Sequence, residues 1–473
     1  MAAIRSITMP TTTQIIQQMQ LELTYAANLT RQATAQKLLD YYNGEQLEHL
    51  EDVLAEQFAD PDALMLQLAI DNITRFIADE ISRVFDSPPM LSCENAAGQA
   101  LLDDLMKTGT LPLIFKTAEV YANLNNVCAL HPWWDEKSGT IKTTILPSST
   151  LFVAQRRDDP TEAEAVIYTR EIRDTITPES RVEYVHWDSE HVFIFDNVTT
   201  GAMRPPSDDN PEMINPYGIL PFAWFRDQIA VGAFFSKCDE SLINAQETLN
   251  VLLTSLNQLT KYQGFSQPVL SGCDAKTPIM VDPSRPIRIP PGLRDEQPGK
   301  FTFETPDSKI GDILAEVTQH VERTCSRYGI SMQSLKSGAE TTSGYALKIQ
   351  ESRLERRRVD STPLCRSGLY QWWEVVKVIN NTHTNSKIPA DAELIIDFAE
   401  PEYNENPKDQ LDADIKKVDN GFVSPVAIIM RDNPDLDERQ AAALYNKNLA
   451  DRQATKRRYG LADILNPVGG NND

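Results

Sequence analysis

The chain has 473 residues, of which 41% are hydrophobic and 24% charged, and its formal net charge is −23. At roughly 150 residues per domain this length predicts about three folding units, and no apolar run approaches the ~20 residues that span a bilayer, so no membrane partner is expected. A chain that grips nucleic acid by neutralising phosphates carries an excess of Lys and Arg, which this composition excludes for the chain as a whole.

The opening MAAIRSITMPTTTQ holds one Arg and no apolar core, so no secretory signal is read and the chain is expected to stay in the cytoplasm where it is made. Up to residue 85 the pattern predicts helix. Leu64, Leu66, Leu68, Ile70, Ile73, Ile77, Ile81 and Val84 recur mostly at helical spacing, behind a capping Asp60 and Pro61 and ahead of Ser87, Pro88 and Pro89. From residue 133 to about 225 the pattern shortens to β-type runs at 140–146, 165–171, 182–187 and 191–195, among turn-rich stretches such as 205–216. This region predicts an α+β domain.

Helical spacing returns at 239–262, with Leu242, Ala245, Leu249, Leu252, Leu256 and Leu259 on one stripe and Gln246, Asn250, Asn257 and Gln258 off it. A second helical run at 307–328 carries Ile310, Ile313, Leu314, Val317, Val321 and Cys325 behind the start signal Thr305, Pro306, Asp307. The intervening residues 264–306 contain eight prolines and β-like pieces at 268–270, 278–281 and 300–303. Proline removes ladder donors, so the insertion is expected to be a small turn-rich tip on a two-helix stalk whose apolar stripes need partners. The longest helical run follows, at 345–381, with Pro363 expected to kink it or to end a segment near residue 362. Residues 390–400 predict one strand, and 407–465 are mainly helical, punctuated by Asn420-Gly421 and Asn433-Pro434. Most of the acidic excess lies before residue 237, leaving the stalk, its tip and the long helix near neutral.

Chemistry-bearing motifs are absent from this pattern. Cys93, Cys128, Cys238, Cys273, Cys325 and Cys365 are too widely spaced for a zinc ribbon or a compact disulfide framework, and the six histidines form no ligand spacing, so neither a metal nor a cofactor is expected. The stretch from Gly338 to Gly344 lacks the Lys that a phosphate-binding loop places after its second glycine. The basic run at 351–360 interleaves Glu351, Glu355 and Asp360 with Arg353, Arg356, Arg357 and Arg358. It reads as a salt-bridged helix face three times more readily than as a phosphate-binding stripe. Trp133-Trp134 and Trp372-Trp373 read first as core or interface anchors, since the bases of a duplex are already stacked.

Four segments, in order, carry a family resemblance: Tyr41-Tyr42-Asn43-Gly44-Glu45; the helix, β excursion and helix at 239–328; Thr342-Ser343-Gly344-Tyr345-Ala346-Leu347-Lys348 opening the long helix; and Asn420-Gly421-Phe422-Val423-Ser424-Pro425 followed by Pro434-Asp435-Leu436-Asp437. The chain resembles the portal proteins of tailed bacteriophages, although Tyr345 stands where the family usually has Ile or Val and residues 264–306 are unusually rich in proline. The resemblance implies a mainly helical α+β portal fold assembled as a ring, usually of twelve subunits. It assigns a wing to 1–238 and 329–400, stem helices to 239–263 and 307–328, a clip to 264–306 and a crown to 401–473.

It further implies a non-enzymatic conduit for packaging and ejection of the genome at one capsid vertex of the virion, assembled in the host bacterial cytoplasm. The implied partners are double-stranded DNA without sequence preference, the terminase large subunit, a head-completion adaptor, and the major capsid and scaffolding proteins. Leu249, Leu252, Leu256, Leu259, Ile313 and Val317 are then expected at the ring-packing stem. Arg285, Arg288 and Arg294 are expected at a docking face of the clip, and Ser334, Lys336, Ser337, Gly338, Thr341 and Thr342 in a loop facing the DNA. The alternatives are a packaging-associated nuclease or ATPase, which predicts a catalytic cluster, and another connector ring, whose subunits are typically much smaller.

Overall fold

A computed structural model describes residues 17, 20–57, 67–107, 109–173, 180–195, 203–263, 267–271, 300–304, 309–331, 344–398, 414–418, 420–432 and 438–459. The chain divides into two units, one of Met1–Lys336 with Glu351–Pro401 and one of Ser337–Gln350 with Glu402–Asp473.

The first unit opens with helices α1 (Ala26–Asn43), α2 (Leu47–Gln57) and α3 (Ile73–Ile81). Gly44 ends α1 in the left-handed conformation at φ 88°, with the Glu45 amide returning to the Asp40 carbonyl, so Asn43-Gly44 acts as a helix stop. The helix expected through Leu68 and Ile70 is not formed there: residues 67–72 are irregular, and α3 starts only where the Asn72 carboxamide accepts from the Arg75 amide. Asp60, Pro61, Leu64 and Leu66 lie outside the described residues. After strand β1 (Met90–Cys93) come α4 (Ala96–Met106) and α5 (Thr110–Asn125), then β2 (Val127–Asp135) and β3 (Thr140–Pro147).

Strands β4 (Leu151–Gln155), β5 (Ala163–Arg173), β6 (Ser180–Trp187), β7 (Val192–Phe195) and β8 (Met203–Arg204) form an antiparallel five-stranded meander, while β9 (Ala223–Arg226) pairs with β2 in a three-stranded sheet ordered β3-β2-β9. Three of the four expected β runs fall within β3, β5 and β6, and the fourth overlaps β7, with His191 making only an isolated bridge to Ile214. Strand β2 explains how the layers stack, because its period of two sends Cys128 and Leu130 into a core shared with helices and Val127 and Ala129 into a core shared with the meander.

The helical side of that sandwich is the long α8 (Gly344–His383), which follows α6 (Glu240–Gln263), β10 (Gln267–Ser271), β11 (Lys300–Glu304) and α7 (Ile310–Arg327). Pro363 neither ends α8 nor divides it. The missing N–H removes one rung, but the flanking turns are held by buried Leu354 on one side and Cys365, Leu369, Trp372 and Trp373 on the other, so packing outweighs the local loss. Both tryptophans are core anchors: the Trp372 indole donates to Thr143 Oγ1 at 3.1 Å and the Trp373 indole to the Ala392 carbonyl at 2.9 Å. Strand β12 (Leu394–Asp397) realises part of the strand expected at 390–400 and pairs antiparallel with β1.

In the second unit, Gly421 (φ 74°) closes the turn after residues 414–418, and the Ser424 hydroxyl caps α9 (Pro425–Asp432) by accepting from the Ala427 amide at 3.1 Å. Helix α9 packs on α10 (Glu438–Tyr459), against which Ala441 is buried.

Candidate functional site: the two-helix stalk and its anchorage

At 1.5 Å per residue, α6 is about 36 Å long and α7 about 27 Å. They pack side by side, with His320 Nε2 within 2.8 Å of the Ala245 carbonyl. Beyond them β10 and β11 pair antiparallel from Gln267 opposite Glu304 to Ser271 opposite Lys300, so a strand pair is carried on two helices as the proline-rich insertion predicts. The piece at 278–281 lies outside the described residues.

The root of the stalk is fixed by apolar burial. Leu242, Ile243 and Leu249 of α6 and Cys325 of α7 share one core with Leu38, Leu39 and Tyr41 of α1, Ile73 and Ile77 of α3, and Leu354 of α8. At the base the Tyr328 hydroxyl donates to Asp239 Oδ2 at 2.7 Å. Burial opposes ionisation of Asp239, yet bonds from Ser241 and Tyr328 hold its carboxyl below the usual range; Tyr328, itself desolvated and bound to that carboxylate, is pushed up to about 12.

A polar ladder does the rest. Gln246 Oε1 accepts from both the amide and the hydroxyl of Thr74 at 3.0 Å, and its Nε2 donates to the Asp71 carbonyl at 2.5 Å and to Asn250 Oδ1 at 3.0 Å. Asn250 Nδ2 donates to Gln46 Oε1 at 2.9 Å, and one turn further Thr254 Oγ1 accepts from the Ala69 amide at 3.1 Å. These three α6 side chains are at most 2% exposed. They satisfy the Ala69 amide and the Asp71 carbonyl of the irregular segment and the Thr74 amide in the first turn of α3, which is why residues 67–72 need not be helical.

The expected leucine stripe therefore divides. Leu249 is 1% exposed within the chain's own core, whereas Leu252, Leu256 and Leu259 of the distal half are only half-buried, as are Ile313 and Val317 of α7, and Leu314 is 53% exposed. The more deeply buried face beyond Leu249 is the polar one. Its signal was present as polar residues at 246, 250 and 254, four apart on one helix face, a spacing that marks a satisfied buried network as readily as a solvated surface.

The basic run at the head of α8 is also partly committed within the chain. Arg357 Nη2 bonds Asp227 Oδ1 at 3.0 Å, and Arg358 lies 3.6 Å from Glu355 and donates to the Arg83 carbonyl at 3.3 Å. The cross-element pair to Asp227 was not foreseen from the run itself, because the partner lies far away in sequence. Arg285, Arg288 and Arg294, and Ser334, Lys336, Ser337, Gly338, Thr341 and Thr342, lie outside the described residues.

Among the described residues no group of three His, Cys, Asp or Glu side chains could hold a metal ion, and no helix is long and apolar enough to cross a membrane. Burial raises the thiols of Cys128 and Cys365 and pushes Cys325 up to about 11, a direction that disfavours thiolates.

Comparison with known proteins gives one family: the model described as phage portal protein, SPP1 Gp6-like, matches residues 23–455. No curated protein sequence matches. Among solved structures, a chain of "Virion of native gene transfer agent (GTA) particle" is similar at 13% identity and a TM-score of 0.39, covering 74% of this chain and 85% of that one. A chain of "Neck of empty GTA particle computed with C6 symmetry" is similar at 14% identity and a TM-score of 0.35, over 74% and 85% respectively.

Proposed function

Since the chain belongs to the SPP1 Gp6-like family of phage portal proteins, we propose that it assembles into a ring, commonly twelve-fold in such proteins, that conducts double-stranded DNA into and out of the capsid. The observation that carries this reading is the stalk: one end is locked into the protomer by a dry core and a polar ladder, while the leucines of the other end remain half-covered. Copies arranged around an axis complete their burial. A duplex has to slide through such a ring, so a channel that neutralised many phosphates would trap it, and the near-neutral stalk region of an otherwise acidic chain fits passage without gripping.

In this reading the strand pair β10–β11 belongs to a clip that docks the terminase and later a head-completion adaptor, with Arg285, Arg288 and Arg294 as its anion-facing side chains. Residues 331–343 form the loop that meets DNA, through Ser334, Lys336, Ser337, Gly338, Thr341 and Thr342. The ring sits at the capsid vertex, contacts capsid and scaffolding proteins, and performs no catalytic step.

Leu252→Asp tests the proposal. It places a charge within the distal stalk, a cost of several kcal/mol if the face is dry in the assembly and little if the face is wet. Sizing with light scattering should show loss of the assembly while circular dichroism shows a folded protomer. Intact assemblies with unchanged thermal stability would overturn the stalk packing.

A further inference from the structure

Arg31 of α1 carries a charge that the protomer does not neutralise. Its Nη1 donates to the Ser148 carbonyl at 2.7 Å and hydroxyl at 2.8 Å, its Nη2 to the Leu151 carbonyl at 2.5 Å, and its guanidinium lies 3.7 Å from the centroid of the Phe235 ring. All of these partners are neutral. The buried Nε has no partner, and no carboxylate pairs with this side chain among the described residues. Burial lowers its pKa to about 10.

The guanidinium lines a cavity of about 410 Å³ together with Tyr25, Phe235, Lys237, Cys238 and Glu240. Lys237 also pairs with no carboxylate among the described residues, Glu240 is exposed, and Tyr25 is 60% exposed at the mouth. The site is thus a cationic pocket with aromatic walls on a chain of net charge −23.

The complement to this pocket lies on the same chain. Helix α2 buries Leu50 and Leu54, and turns Glu48, Glu51, Asp52 and Glu56 outward, none of them paired with a cation among the described residues. The two patches are separate. α1 lies along α6 through Lys37 with Glu247, and Asn250 meets Gln46 at the start of α2, so the pocket beside Glu240 is about ten residues, or ~15 Å, from the acidic helix.

We propose that the Arg31–Lys237 pocket receives the acidic face of α2 from a second copy of this chain. Complementary patches at different places on one subunit make a head-to-tail contact, the type that closes into a ring. This inference rests on the ring reading above and adds to it a specific, charge-sensitive contact at the roots of the stalk. Arg31 is fixed and desolvated in advance, so little is lost in ordering it when the carboxylate arrives.

Arg31 also braces the turn at 148–151, so the test uses its neighbours. Lys237→Glu, and separately Glu48→Lys with Glu51→Lys and Asp52→Lys, should each raise the concentration for half-assembly by about tenfold or more in sedimentation. Melting should stay unchanged, and the two sets combined in one chain should restore assembly. In addition, Glu51→Cys in the otherwise native chain should be joined to Cys238 of another copy by a short bismaleimide, as read by peptide mapping of the assembled form.

Wild-type assembly in both charge variants, no recovery in the combined variant, or no cross-link between the thiol introduced at position 51 and Cys238 in assembled particles would each overturn the contact and leave the ring reading standing. A wild-type chain that never assembles would overturn both.

Discussion

Glu119, on α5, is 3% exposed, yet both its oxygens are engaged: Oε1 accepts from the Val84 amide at 2.9 Å and Oε2 from the Phe85 amide at 3.1 Å. Burial raises its pKa to about 7, against the pull of those two amides and of Lys116. A carboxyl raised from 4.5 favours the folded chain when protonated, so its contribution is fully present below about 4.5 and is lost as pH rises through about 7. The window corresponds to on the order of 3 kcal/mol. Denaturant titrations should show wild-type stability falling across it, and Glu119→Gln should flatten that fall; an equal slope in both proteins would contradict the assignment. Gly368 illustrates a steric limit at the same scale. A Cβ there would stand 2.9 Å from the Phe225 ring and 3.1 Å from the Trp224 carbonyl, where α8 crosses β9. Gly368→Ala should cost roughly 1–3 kcal/mol despite the better helix propensity of alanine, measured by thermal melting.

At the scale of elements, α6 joins the chain's acidic N-terminal half to its stalk through the Gln246, Asn250 and Thr254 ladder. Gln246→Leu keeps the volume but strands the Thr74 amide and the Asp71 carbonyl. It should therefore lower stability by roughly 1–3 kcal/mol and speed hydrogen exchange of the amides at 69–74; unchanged exchange there would show that the ladder does not hold the segment. The elements legible in the sequence are those whose own residues dictate them. The β runs at 165–171, 182–187 and 191–195 mark three strands of the meander, and α6 and α7 carry stripes. What was not legible depends on distant partners. Residues 67–72 have the apolar spacing of a helix but are held open by side chains of α6, and α8 runs through Pro363 because buried Leu354 holds the turns before it and Leu369 and the two tryptophans those after it. Strand β1 has no local β signal and forms through pairing with β12, Met90 opposite Asp397 and Cys93 opposite Leu394. The stalk was legible for the same reason as its stripes, whereas the division of its leucines between an inner core and a half-covered outer face required the three-dimensional neighbours of Leu249.

For the whole molecule, family membership and the half-covered stalk support the proposal that the chain acts by assembly. An isolated protomer leaves Leu252, Leu256, Leu259, Ile313 and Val317 short of full burial, and Leu314 exposed. The area at stake is apolar, so association should tolerate moderate salt, while the head-to-tail charge contact at Arg31 and Lys237 should weaken as salt screens it. These opposite dependences separate the two interfaces in one titration. The central claim, that this chain works as a closed ring around DNA, is tested most directly by electron microscopy of the purified protein viewed down the particle axis. The account predicts closed rings of identical subunits with an axial opening wide enough for a duplex; open chains, two-fold dimers or dispersed monomers at the same protein concentration would contradict it.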